Sequence, residues 1–246
     1  MKSPDILKLK PRWVLANALG ELVGLGGTFA VLAALYPTLS AMEGKAGVWA
    51  GFAVAVAAGL VEATVVGLAQ WWAMSPWATK VTRFAWWKAT AIGAVLAYCL
   101  GYLPSTLMNA AETPATPVVE SPTWQIIILA AGLGAIAALA LSFMQQLELK
   151  KHYDKARKWI GANAIAWAVG MPIIFTGIDF SQKASHVAIA ILIMAVILLI
   201  SGAVVGFIQS VWLGEILTSG KPGTTQPYSL LRNLIRQSKV QDPKKQ

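Results

Sequence analysis

The sequence predicts an all-α polytopic membrane protein, and three observations lead to this prediction. First, the chain of 246 residues is 57% hydrophobic and only 13% charged, whereas soluble domains carry about 25% charged residues. Second, apolar runs of roughly 20 residues, each sufficient to cross a bilayer, recur along the chain. Third, loops rich in lysine and arginine alternate with loops poor in both. We therefore expect six transmembrane helices, arranged as three tandem two-helix repeats, with both termini in the cytoplasm.

The predicted spans are apolar segments separated by polar or turn-forming residues. They are Trp13–Leu35, Val48–Ala73, Trp87–Met108, Trp124–Leu147, Trp159–Ile178 and Val187–Leu213. Four of them begin at a tryptophan, whose amphipathic ring favours the membrane–water interface. We interpret the first span as an uncleaved helix rather than a signal peptide, because it is too long and contains Glu21.

The distribution of charge predicts the orientation. Basic residues concentrate before the first span, at 80–88, at 150–158 and after the sixth span. By the positive-inside rule, both termini are therefore cytoplasmic. The net charge of +9 then indicates contact with anionic lipid at the cytoplasmic face rather than with nucleic acid.

The composition predicts one transmembrane domain at residues 1–213 and a cytoplasmic tail at 214–246. In the tail, "YSLLRNLIRQSKV" places apolar residues at helical spacing against basic ones. This pattern predicts a short interfacial helix around residues 230–235, and a basic tail without a helix is the alternative. The acidic, proline-rich loop that contains Glu112 and Glu120 is expected to be extended on the outer face.

Two patterns recur with a period of roughly 70 residues. Odd-numbered spans begin with "WVLANA", "WWKATA" and "WIGANA", and even-numbered spans end with a glutamine in "VVGLAQWW", "ALSFMQQL" and "VVGFIQSV". They predict three units, at about residues 13–74, 86–149 and 159–213, related by a pseudo-threefold axis along the membrane normal. The plan resembles that of mitochondrial carriers, although their proline and acid-x-x-base signature is absent here.

The first pattern gives each odd-numbered span a face of small and polar residues. In the first span, Asn17, Gly20, Glu21 and Gly24 are spaced i, i+3, i+4 and i+7. Small residues let helix backbones approach closely in lipid, and a buried Asn or Thr adds an interhelical hydrogen bond. We expect this face to lie in the interior of the bundle.

Together the Trp-x-x-Ala-x-Ala and Gly-x-x-Gln-Trp patterns and the basic stretch "LELKKH", Leu147 to His152, resemble a family of multi-pass membrane proteins of cyanobacteria and Gram-positive bacteria. In that family the basic loop reads like "LRKH". The resemblance covers most of the membrane part of the chain. It implies a bacterial plasma membrane, with a thylakoid membrane as the alternative, and it implies no particular activity.

Two acidic residues, Glu21 and Glu62, lie well inside predicted spans. An intramembrane acid costs roughly 2.5–3.5 kcal/mol to insert, so both are candidates for a ligand or ion site. They lie about 12 Å and 16 Å from the cytoplasmic ends of adjacent helices. No Lys or Arg lies at this depth, so each acid is protonated, bound to a cation, or hydrogen-bonded to a neighbour such as Asn17, Asn163 or Thr64. A structural glutamate and a proton or cation site are the two interpretations.

The two acids break the threefold pattern, because the other repeats have no acid at the matching positions. Those positions hold Ala94 and Trp167 for Glu21, and Ala137 and Ser201 for Glu62. A site that uses the acids is therefore expected to be asymmetric and built on the first repeat.

Three glutamines recur near the cytoplasmic ends of the even-numbered spans: Gln70, Gln145 and Gln209. They either line a cytoplasmic vestibule, which makes them ligand-binding candidates together with Asn17 and Asn163, or have a structural role. We favour the structural role, because an amide near the interface costs little.

No sequence motif indicates an enzyme. The chain lacks H-E-x-x-H, G-x-S-x-G, Walker-type and D-x-x-D motifs, and it has a single cysteine, Cys99. We therefore predict no catalytic residue, metal or cofactor.

The first hypothesis is a protein that binds or transports a small molecule, ion or lipid at a site between the repeats that opens to the cytoplasm. The second is an accessory subunit of a larger membrane complex, and an unusual intramembrane enzyme is a weaker third. Transport predicts a polar cavity that reaches mid-membrane beside Glu62, and a subunit role predicts a filled core and co-purifying membrane-protein subunits as partners.

Overall fold

The computed structural model describes residues 5–111 and 123–220. A short 3-10 helix leads into six long helices, and all six are long and apolar enough to cross a membrane. They are α1 (Leu9–Ser40), α2 (Gly44–Met74), α3 (Arg83–Ala110), α4 (Thr123–Leu149), α5 (Lys158–Gln182) and α6 (Val187–Leu217). The predicted all-α membrane fold with six transmembrane helices is thus confirmed. In the described ranges, the β pairing is limited to an isolated bridge between Tyr153 and Gly220.

Most helices extend beyond the predicted spans at one or both ends. Hydropathy marks the segment inside the hydrocarbon, whereas the helical hydrogen bonds continue into the interface. Helix α1 continues through Pro37 to Ser40, and α6 continues to Leu217, into the predicted tail. The predicted interfacial helix at 230–235 and the loop that contains Glu112 and Glu120 lie outside the described residues.

The six helices form a closed ring, in which each packs against the helix before and after it and α6 packs against α1. Glycines permit several of these contacts. A Cβ atom added to Gly93 in α3 would lie 2.7 Å from the Cα of Leu141 in α4, and one added to Gly202 in α6 would lie 2.8 Å from the Cα of Ala18 in α1. Such close approach of backbones is typical of helix packing in lipid.

The start of α1, the loop at 75–82, the loop at 150–157 and the end of α6 share one apolar cluster. We call this end of the ring the basic end, because the lysine- and arginine-rich loops lie there, and the opposite end the far end. The buried residues of α1 lie between Leu9 and Thr28, and those of α6 between Leu198 and Leu217. The core therefore fills the half of the ring nearest the basic end.

The loop at 150–157 is fastened to the end of α6. The backbone N–H of Asp154 donates to the carbonyl oxygen of Ser219 at 3.0 Å, and that of Lys155 donates to the Ser219 hydroxyl at 3.1 Å. Lys155 and Lys158 both form ion pairs with Glu215, at 2.5 and 2.7 Å. The last helix is thus tied to the loop between the second and third predicted units through both backbone and side chains.

The tryptophans that begin the first and fifth spans do not lie at the interface. Trp13 and Trp159 have 0% exposed surface, whereas Trp124 is 61% exposed. The interfacial prediction is therefore wrong for Trp13 and Trp159, because the ring of helices closes around them and their indole N–H groups find partners inside it.

Candidate binding site

Three tryptophans fill the centre of the ring at the basic end. Trp13, Trp86 and Trp159 come from α1, α3 and α5, and each has 0% exposed surface. The ring centroids of Trp13 and Trp159 are 5.7 Å apart, and those of Trp86 and Trp159 are 6.1 Å apart. Because α1, α3 and α5 are not neighbours in the ring, these contacts cross its interior and close it.

The three glutamines of the even-numbered helices bind this layer. Gln209 accepts a hydrogen bond from Trp13 Nε1 at 3.0 Å and donates to Asn163 Oδ1 at 2.8 Å. Gln145 in the same way accepts from Trp159 Nε1 at 2.9 Å and donates to Thr90 Oγ1 at 2.9 Å. Gln209 and Gln145 thus each link the tryptophan of one neighbouring helix to the Asn or Thr of the other neighbour.

The third set of bonds is incomplete. Gln70 donates to Asn17 Oδ1 at 2.9 Å, as the pattern requires. Its oxygen, however, accepts from Gln145 Nε2 at 3.3 Å, and the buried Trp86 Nε1 has no hydrogen-bond partner among the described residues. The hydrogen bonds therefore follow an approximate threefold arrangement with one break. The tandem-repeat relation stays a prediction that this arrangement supports.

Five of the seven predicted site residues belong to this filled layer. Gln70, Gln145, Gln209, Asn17 and Asn163 are all at most 4% exposed. They bond to one another, to tryptophans and to Thr90, and the amides of Asn17 and Asn163 also donate to the carbonyl oxygens of Trp13 and Trp159. They do not line an open vestibule, and their contacts are those of the structural role that the sequence favoured.

Glu21 lies on α1, one helical turn beyond Asn17, and is 1% exposed. Gly202 of α6 packs against it, since a Cβ added to that glycine would lie 2.8 Å from Glu21 Cγ. Glu21 Oε2 is buried without a hydrogen-bond partner. No ion pair of the described residues involves Glu21 or Glu62.

Glu62 lies on α2, between α1 and α3. Gly24 of α1 contacts it on one side, where an added Cβ would lie 3.3 Å from Glu62 Cγ. Tyr98 of α3 donates its O–H to Glu62 Oε2 on the other side. The carboxyl groups of Glu21 and Glu62 interact electrostatically across the contact of α1 and α2. Both acids thus lie on the contact between adjacent helices, as expected, and their similar depth in the membrane stays a prediction.

The partners expected for the acids differ from those observed. The Asn17 amide is used by Gln70 and the Trp13 carbonyl, and the Thr64 hydroxyl donates to the Leu60 carbonyl. Tyr98, which the sequence analysis did not select, takes their place. A signal for it exists, because Tyr98 follows Thr90 and Ala94 at four-residue steps along the small face of α3.

A cavity of about 410 Å³ lies beside Glu62, between α1, α2, α3, α4 and α5. It extends from the level of Ala94 and Trp167 towards Ser105 and Ile178, which lie nearer the far end. Five aromatic side chains line it: Phe29, Tyr98, Tyr102, Trp167 and Phe175. Among residues 5–111 and 123–220, Glu62 is the single carboxyl group in its lining, and no Lys, Arg or His of these ranges lines it.

The cavity lies where the predicted repeats differ from one another at the positions of the acids. The second predicted repeat has Ala94 and Ala137 at the positions of Glu21 and Glu62, and both alanines line the cavity. The third repeat has the large Trp167 at the position of Glu21. Two small side chains on adjacent helices thus border the cavity at this level.

The cavity and the filled layer lie on opposite sides of the acids. We expected a site that opens to the cytoplasm, at the basic end. In the structure, the tryptophan–glutamine layer closes that end, and the cavity runs from the acids in the opposite direction.

The chain matches no protein-family model, no curated protein and no solved structure.

Proposed function

We propose that this integral membrane protein binds a small, largely apolar molecule in the cavity beside Glu62. The observation that carries the proposal is the cavity itself. Its volume of about 410 Å³ lies within the range of about 300–1,000 Å³ that is usual for small-molecule sites. Apolar and aromatic walls with few polar groups are the usual composition of such sites.

The polar groups at one side of the cavity support an orienting contact with the bound molecule. Glu62 and Tyr98 are hydrogen-bonded to each other and both line the cavity. A ligand that contacts Glu62 and Tyr98 must carry a hydrogen-bonding or charged group at one end and an apolar body that fills the rest of the cavity. The proposed ligand reaches the cavity from the far end or from the surrounding lipid, because the basic end is closed by the tryptophan–glutamine layer.

The cavity also distinguishes this proposal from the accessory-subunit hypothesis. The accessory-subunit hypothesis predicts a packed core. Here, packing is interrupted by a cavity beside an intramembrane acid. Transport across the membrane would in addition require the tryptophan–glutamine layer to part.

The test is to fill the cavity with a larger side chain and to measure the binding of two aromatic probes. Ala137→Phe places a ring in the cavity, and Ala57→Phe places the same ring on the exposed side of α2. Each variant is reconstituted in lipid nanodiscs and titrated calorimetrically with tetraphenylphosphonium and with neutral triphenylphosphine oxide, with empty nanodiscs subtracted. We expect at least one probe to bind the unmodified protein and the Ala57 variant, and to lose binding in the Ala137 variant. Failure of both probes to bind, or equal binding in all three proteins, would refute the proposal.

A further inference from the structure

The cavity beside Glu62 has an electrostatic character that restricts what it binds. In the part of the chain that the structure describes, Glu62 is the only carboxyl group in the lining, and no basic side chain lines the cavity to neutralise it. An ionised carboxylate in apolar surroundings is costly unless a positive charge accompanies it. The missing positive charge must therefore come from a proton or from the bound molecule.

The walls favour the same sign of charge. Tyr98 and Tyr102 of α3 are stacked, with ring centroids 5.9 Å apart, and Trp167 lines the cavity from α5. The faces of aromatic rings attract cations, most strongly where water is excluded. Phe29 and Phe175 extend this aromatic lining towards α1 and α5.

We propose that the cavity selects lipophilic organic monocations, which bind the carboxylate of Glu62 in exchange for its proton. This inference rests on the proposed function, because it names the class of molecule that the same cavity takes. The step is balanced in charge: the neutral Glu62 carboxyl group loses one proton to solvent as one cation binds, and no covalent bond of the cation changes.

The neighbours of Glu62 explain why it, rather than Glu21, exchanges the proton. The titratable groups that face Glu62 are Glu21 from α1 and Tyr98 and Tyr102 from α3. Two carboxyl groups that interact in apolar surroundings do not ionise together. Glu21 is 1% exposed and does not line the cavity, so it keeps its proton. Glu62 is partly exposed and lines the cavity, and the Tyr98 hydroxyl donates a hydrogen bond to its carboxyl group.

An organic cation suits these residues better than a metal ion does. Within residues 5–111 and 123–220, no group of three His, Cys, Asp or Glu side chains is placed to hold a metal. Divalent metal ions take several oxygen or nitrogen ligands. An organic cation whose delocalised charge is surrounded by apolar groups needs only one carboxylate and aromatic contacts to bind.

The test compares the two probes on Glu62→Gln and Glu21→Gln. Loss of one member of a desolvated charge pair weakens binding by at least about 30-fold. We therefore expect Glu62→Gln to weaken tetraphenylphosphonium binding by at least this factor and to leave triphenylphosphine oxide binding little changed. Glu21→Gln, which replaces a neutral group by a neutral group, should keep the preference for the cation. An unchanged preference in Glu62→Gln, or an equal loss in both variants, overturns the inference while the proposed function stands.

A measurement on the unmodified protein covers the case in which a variant fails to fold. Cation binding should strengthen by up to about tenfold per pH unit as pH rises over the range in which Glu62 is protonated, because the cation competes with a proton. Binding of the neutral oxide should not strengthen in this way. Titrations in two buffers of different ionisation enthalpy should report about one proton released for each cation bound. A pH-independent affinity without proton release overturns the exchange.

Discussion

Gln209 and Gln70 occupy matching positions in the predicted repeats, yet the structure predicts that their removal has different costs. Gln209→Leu removes two hydrogen bonds, of 3.0 and 2.8 Å, and leaves the buried Trp13 N–H without an acceptor. Interhelical hydrogen bonds in membrane proteins contribute on average about 0.6 and at most about 1.7 kcal/mol each. The expected loss in the free energy of unfolding is therefore roughly 1–3 kcal/mol.

Gln70→Leu removes the 2.9 Å bond to Asn17 and a longer one of 3.3 Å from Gln145. It removes no partner from Trp86, whose N–H is already without one. We expect it to cost less than Gln209→Leu, by about 0.6–1.7 kcal/mol. Reversible unfolding in mixed micelles measures both variants, and Gln182→Leu at the exposed end of α5 serves as control. Equal losses for the two glutamines, or a larger loss for Gln70, would contradict the asymmetry of the layer.

Three further predictions concern packing and charge. Trp86→Phe should lower the melting temperature less than Trp13→Phe, because only the Trp13 N–H is hydrogen-bonded; the reverse order would show that Trp86 has a partner. Gly93→Ala should lower stability by about 1–3 kcal/mol, because its Cβ would meet backbone of α4 at 2.7 Å. Gly132→Ala has nothing within 4 Å and should be neutral or stabilising, and a similar loss in both variants would refute this difference. Glu215→Gln breaks two exposed ion pairs and should lower the melting temperature only slightly, with the loss shrinking at high salt; a large, salt-independent loss would contradict an exposed pair.

Hydropathy was sufficient to predict the six helices, because a long apolar segment in lipid must satisfy its backbone hydrogen bonds internally. The small face of α1 was also predictable: Asn17, Gly20, Glu21 and Gly24 are all buried, as their spacing requires. The resemblance to a bacterial membrane-protein family and the orientation stay predictions.

The cavity and the partner of Glu62 were not predictable from one sequence. Periodicity assigns a residue to a face of its own helix, but contacts between helices depend on how they rotate and tilt against each other. The hydrogen bond from Tyr98 to Glu62 depends on the contact of α2 with α3. The predicted opening at the basic end failed for a similar reason, because nothing in the spacing of Trp13, Trp86 and Trp159 reveals that their rings meet at the centre.

The layer of three buried tryptophans has a consequence for the bilayer that surrounds the protein. A membrane that stores an electrochemical gradient tolerates no continuous file of water through its thickness. The cavity beside Glu62 already interrupts the hydrocarbon over part of that distance. Because Trp13, Trp86 and Trp159 are fully buried and their rings meet across the interior, they obstruct such a file of water at the basic end. The protein can therefore contain a cavity inside the membrane without opening a continuous water path across it.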